Sequence, residues 1–156
     1  MEADEREQSW RRWIVLGLTL AVAATRLLAL SRSLWDWDEA LFCSALRHYD
    51  VAVHHPHPPG FPLYIALARI VHLFIADEFR SLRTVQLISS FFIFPAFYAM
   101  ARAMRFPFTL AVSAALLFSF LPNVWFYGGT AWSDTFTVTS QAFTCVDGMT
   151  VAFDIE

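Results

Sequence analysis

The chain has 156 residues, 57% of them hydrophobic and 16% charged, with a formal net charge of -3 and a mean hydropathy of +0.47. A soluble domain carries about 25% charged residues, so the composition excludes the ordinary water-soluble class, and without a basic excess there is no footing for nucleic acid. Cys43 and Cys145 cannot make a disulfide framework, while 16 Phe and 6 Trp suit lipid-facing surfaces and interfacial belts.

In chain order, residues 1–12 are polar and end in Arg11-Arg12. Residues 13–30 then run apolar, interrupted by Thr19, Thr25 and Arg26, which is long enough to cross a bilayer. The arginine pair ahead of the run places the amino terminus in the cytoplasm. A signal peptide competes with this reading at Ala21-Val22-Ala23, but the apolar run continues past it, which favours an uncleaved first span. Arg26 near the outer end is expected to snorkel.

Residues 31–62 are polar, aromatic and acidic and fall on the outer face in this scheme. Within them, residues 36–49 read as a short helix, capped by Asp36 with Glu39 at the third helical position. Trp37, Leu41 and Ala45 share one face at helical spacing, so the helix is expected to lie along the membrane surface. The proline-rich stretch 54–62 can be neither helix nor central strand. It predicts a rigid, extended entry into the next apolar segment, residues 63–76, which carries Arg69 and His72.

A charged link at 77–83 leads to a span over 85–104 with a kink at Pro95. A basic turn at 102–107, a span over 108–127 with Pro122 near its end, and a loop at 128–134 follow. Residues 135–143 begin a further span, and residues 144–156 are an atypical polar tail. The fold class is therefore all-α: a polytopic transmembrane helical bundle with an interfacial helix in the first outer loop, its membrane domain covering residues 1–143. Charge leaves the topology open. If every apolar segment spans, Arg80 and Arg83 lie inside and Arg102 and Arg105 outside; if residues 63–76 are re-entrant, the two pairs exchange sides.

Three features carry chemistry: Asp38-Glu39 at the start of the surface helix, His57-Pro58-Pro59-Gly60-Phe61-Pro62-Leu63-Tyr64 at the mouth of the next segment, and Ser133-Asp134 after an aromatic span. This ordered set resembles the glycosyltransferase C superfamily, in particular the protein O-mannosyltransferases and the bacterial sugar transferases that use polyprenyl-phosphate sugars. The resemblance covers roughly residues 13–143. It implies a multi-pass integral membrane enzyme that transfers a sugar from a polyprenyl-phosphate donor to an acceptor protein or glycan, inverting the anomeric carbon. It requires no cofactor beyond an optional divalent cation, and it makes the chain an amino-terminal fragment, since such enzymes have many more spans.

The chemistry suits these residue types. The donor already has a good leaving group, so the missing element is a base for the acceptor hydroxyl, which a carboxylate near the outer face supplies. The resemblance makes Asp38 the first candidate and Glu39 the second; helix capping is the competing role for Glu39. His57 either donates to the lipid phosphate or orients the base, and its alternative is an interfacial histidine fixed by prolines. His54, His55 and His57 raise the question of zinc. Alternation along an extended strand separates His54 from the other two, so no metal ligand is assigned.

Arg69, with His72 on the same face, either contacts the lipid phosphate or snorkels. Asp134 either shapes the acceptor or phosphate site or is a helix amino-terminal acid. The readings outside catalysis are a small non-catalytic membrane protein that binds lipid or a partner, and a transport subunit with Arg69 and His72 along its path.

Overall fold

The computed structural model describes the backbone of residues 2–154 and the side chains of residues 6–148. The fold is all-α, with eight α-helices and a 3₁₀ turn among the described residues. Helix α1 is Glu2–Leu28, α2 Trp37–Arg47, α3 Pro62–His72, α4 Glu78–Phe91, α5 Ile93–Ala103, α6 Phe108–Ser119, α7 Pro122–Tyr127 and α8 Asp134–Asp154. Helices α4 and α5 together, Glu78–Ala103, 26 residues with a hydropathy of 1.5, are long and apolar enough by length and composition to cross a membrane.

Prolines and caps set the element ends. Pro95 lacks an N–H and crowds the carbonyl four residues back, and the helix breaks at Phe92, which ends α4 and opens α5. Pro122 likewise ends α6 and opens α7. Asp77 accepts from the backbone N–H of Arg80 at 2.7 Å and starts α4 there, so the expected charged link is the first turn of a helix. Helix α8 runs past residue 143 to Asp154 without a break; the side chains of the polar tail beyond residue 148 lie outside the described residues.

One expectation is corrected here. The entry at 54–62 is a folded loop, not an extended one. Asp50 and His55 form a β-bridge, and His54, Gly60 and Phe61 take positive φ values of 61°, 90° and 44°. Helix α2 turns Glu39, Phe42, Ala45 and Leu46 inward, packs against α3 and α4, and leaves Trp37 76% exposed.

Helix α5 forms the centre of the bundle, flanked by α6, α8 and α1. Val22, Ile93, Phe94 and Ala115 make its buried core. A second core of Phe42, Ala45, Leu46, Tyr64, Ile65, Ala68, Leu82, Val85 and Ala131 joins α2, α3 and the start of α4 at one end. Arg26 is fully buried there rather than snorkelling: it donates to the carbonyls of Ser119 at 2.5 Å and Val124 at 3.4 Å. These carbonyls lie beside the break at Pro122, where the helix leaves them without intrahelical partners.

Candidate functional site

Asp36 accepts from the N–H of Asp38 at 3.0 Å and so caps α2. Capping thus falls to Asp36, and the Asp38 carboxylate is left facing the loop at 54–62. His57 Nδ1 lies 3.9 Å from Asp38 Oδ1, outside direct hydrogen-bond range. That nitrogen is buried and has no hydrogen-bond partner among the described residues. The imidazole is held edge-on by Phe42 and Phe61, with ring centroids 5.5 and 5.6 Å away. Both side chains keep about a third of their surface, 34% for Asp38 and 32% for His57, so the pair is reachable from outside.

Asp134 opens α8 and feels both groups. Loss of hydration raises its carboxyl above the usual range, His57 opposes the shift, and Asp38 reinforces it. A raised carboxyl keeps its proton to higher pH than an ordinary one and is the stronger proton acceptor. Asp134 also lines a cavity of about 130 Å³ with Asn123, Tyr127 and Thr135. Asp38 and His57 thus face each other, and Asp134, from a third stretch of sequence, lies near enough for both charges to act on its carboxyl.

Glu39 differs from Asp38 in every respect. It is fully buried, and its two carboxylate oxygens accept from the N–H of Trp35 and the N–H of Ala131, both at 2.9 Å. The first bond reaches past the cap residue Asp36 to the residue before it; the second ties the helix to a loop 92 residues away. Tyr64, also fully buried, points its hydroxyl at the carbonyls of Ala131 at 3.0 Å and Leu82 at 3.2 Å. Ala131, three residues before Asp134, is thus gripped by its N–H and its C=O.

Gln86 adds a third tie. Its amide donates to the Tyr127 carbonyl at 3.2 Å and accepts from the Phe136 N–H at 3.1 Å, which satisfies a donor in the first turn of α8. The sequence reading missed Gln86 and Ala131, and it quoted Tyr64 only as part of a motif.

Arg69 is exposed and turned to α2. It donates to the carbonyls of Ala45 at 3.0 Å and Leu46 at 3.2 Å, in the last turn of that helix. His72 instead meets the hydroxyl of Ser81 at 3.2 Å. The thiol of Cys43, on α2, is pushed up to about 12, chiefly by burial and then by Glu78, Glu39 and Asp77, so it is no nucleophile at neutral pH.

Among the described residues no group of three or more His, Cys, Asp or Glu side chains is placed to hold a metal ion. Comparison of the chain with family models, with curated proteins and with solved structures gives no match in any of the three.

Proposed function

We infer that the chain is a membrane glycosyltransferase component, taking a sugar from a polyprenyl-phosphate donor to an acceptor hydroxyl at the outer membrane face. The observation that carries this is the facing of Asp38 and His57 across 3.9 Å, with Asp134 within electrostatic reach of both; these are three groups that the glycosyltransferase C resemblance selects. The membrane setting is supported by large apolar side chains on the outside of several helices: Trp13 is 69% exposed, Leu63 60% and Leu117 73%. Such a surface is costly in water and ordinary in lipid.

In this reading Asp38 is the base. It takes the proton of the acceptor hydroxyl as that oxygen bonds to the anomeric carbon. The bond from that carbon to the phosphate oxygen breaks, and polyprenyl phosphate leaves with the electron pair. Attack opposite the leaving group inverts the centre. His57 orients the Asp38 carboxylate, closing the 3.9 Å gap when substrate arrives. In this reading Asp134 stands on the acceptor side, where it steers the hydroxyl. Glu39 is a positioning residue that holds the loop leading to Asp134. Arg69 works through the frame of α2. No cofactor is needed for these steps; a divalent cation would act on the donor phosphate.

The test uses the full chain in sealed lipid vesicles, with labelled polyprenyl-phosphomannose as donor and a serine- and threonine-rich peptide as acceptor. Transfer is expected, and Asp38→Asn is expected to lower its rate by about 10²- to 10⁴-fold while donor retention stays unchanged. Wild-type chain that neither retains the donor nor consumes it would favour the other reading, a non-catalytic membrane protein that binds lipid or a partner through its apolar helices.

A further inference from the structure

We propose that the cleft between α1 and α5, at the end of the bundle opposite Asp38, is a binding site for an anionic glycerophospholipid. Its volume is about 740 Å³, within the usual range for a ligand site. Its two ends differ in chemistry. Arg11, Arg12 and Arg102 stand at one end; Val15, Phe92 and Pro95 form apolar walls beyond them. From Arg12 to Thr19 the cleft follows α1 for about 10 Å, at 1.5 Å per residue. A phosphate with acyl chains matches this charge-then-apolar order.

The arginines are held ready for an anion. Arg102 donates to the Phe106 carbonyl at 2.7 Å, which fixes its fork. Arg11 lies over the Phe108 ring at 5.1 Å and pairs with Glu7, yet its Nε is buried and has no acceptor among the described residues. Arg12 has no hydrogen-bond or ion partner among the described residues and is exposed. Among the described residues Glu7 is the single acid paired with these three guanidiniums. Guanidinium forks match phosphate oxygens, and each arginine near a membrane surface contributes about 1 kcal/mol toward an anionic lipid.

The site does not depend on sugar transfer. It needs only α1 and α5 to lie in a bilayer, so failure of the transfer assay leaves it standing.

The experiment titrates the purified full chain in detergent with dioleoylphosphatidylglycerol, dioleoylphosphatidylcholine or inorganic phosphate. It reads the unfolding midpoint and, by native mass spectrometry, the lipid retained. Phosphatidylglycerol is expected to raise the midpoint and stay bound; the other two are not. The double variant Arg12→Gln, Arg102→Gln is expected to weaken retention by roughly tenfold or more. The double variant Arg32→Gln, Arg80→Gln, which removes the same charge elsewhere, is expected to retain lipid like the parent.

Equal weakening in both double variants would mean general surface charge and overturn the site. Inorganic phosphate acting as well as the lipid would make it a free-anion site and also overturn the proposal. Should the arginine variant fail to fold, Val15→Trp fills the apolar part and keeps the arginines; undiminished retention in that variant overturns the proposal too.

Discussion

Adjacent acids with different fates define the site at the residue scale. Asp38 and Glu39 are neighbours in sequence, but a helix turns about 100° per residue, so one faces the His57 loop and the other the core. Glu39 accepts two backbone N–H bonds in a site without water contact. Replacing it with Gln substitutes an amide NH₂ for one acceptor, so one of the two N–H groups meets a donor instead. Hydrogen bonds to a charged group contribute about 1.5–3 kcal/mol, and a stability loss of that order is expected for Glu39→Gln by chemical denaturation in detergent. Asp38→Asn, with no hydrogen bond of its own among the described residues, is expected to unfold with the parent. The reverse pattern would make Asp38 the structural acid and remove it as base. The sequence shows that an acidic pair is present, yet it cannot show which member turns inward, because the inward face of α2 depends on α3 and α4. It shows nothing of Ala131, whose role is carried by its backbone alone.

At the scale of elements, local chemistry was legible and tertiary pairing was not. The breaks at Phe92 and Leu121 follow from Pro95 and Pro122, and the start of α2 follows from Asp36, since each acts within one turn. The start of α4 at Glu78 was hidden because its first turn is charged and reads as a link. The loop at 54–62 was misread as extended because prolines forbid helix and sheet without saying where the chain goes next. Arg69 shows the same limit. A charge in an apolar segment reads as a ligand for phosphate, but here its partners are the Ala45 and Leu46 carbonyls, orphaned at the end of α2. Arg69→Gln should therefore cost about 1–2 kcal/mol of stability from two weakened bonds, with vesicle retention of polyprenyl-phosphomannose unchanged. A loss of retention at parental stability would return Arg69 to the donor site.

For the whole molecule, the two ends of the bundle show which loops lie together. Trp10 meets Phe108, with centroids 5.8 Å apart, and Arg11, Arg12 and Arg102 line one cleft. The turn after α5 thus lies at the end where α1 begins. At the other end Arg83 donates to the Ser31 carbonyl, and Ser31 in turn donates its N–H to Gly129 at 2.9 Å. A Cβ on Gly129 would come 2.4 Å from the Ala29 carbonyl oxygen, so the loops after α1 and α7 share one end at a distance only glycine allows. Helix α3 has 11 residues, about 16 Å at 1.5 Å per residue, about half the bilayer core, and the segments on both sides of it meet α2, His57 at Asp38 and Glu78 at Arg47. In a bilayer this requires that Ser33 and Met104, both exposed, face opposite compartments. If instead α3 spans, the chain crosses once more between them and both face the same side. With Cys43 and Cys145 changed to Ser, single cysteines at Ser33 and Met104 are to be labelled by a membrane-impermeant maleimide on sealed vesicles, before and after permeabilisation. Labelling of one site from outside and the other only after permeabilisation is expected. Labelling of both from the same side would put the 128–134 loop across the membrane from Asp38, separating Asp134 from His57, and the proposed site would have to be abandoned along with the topology.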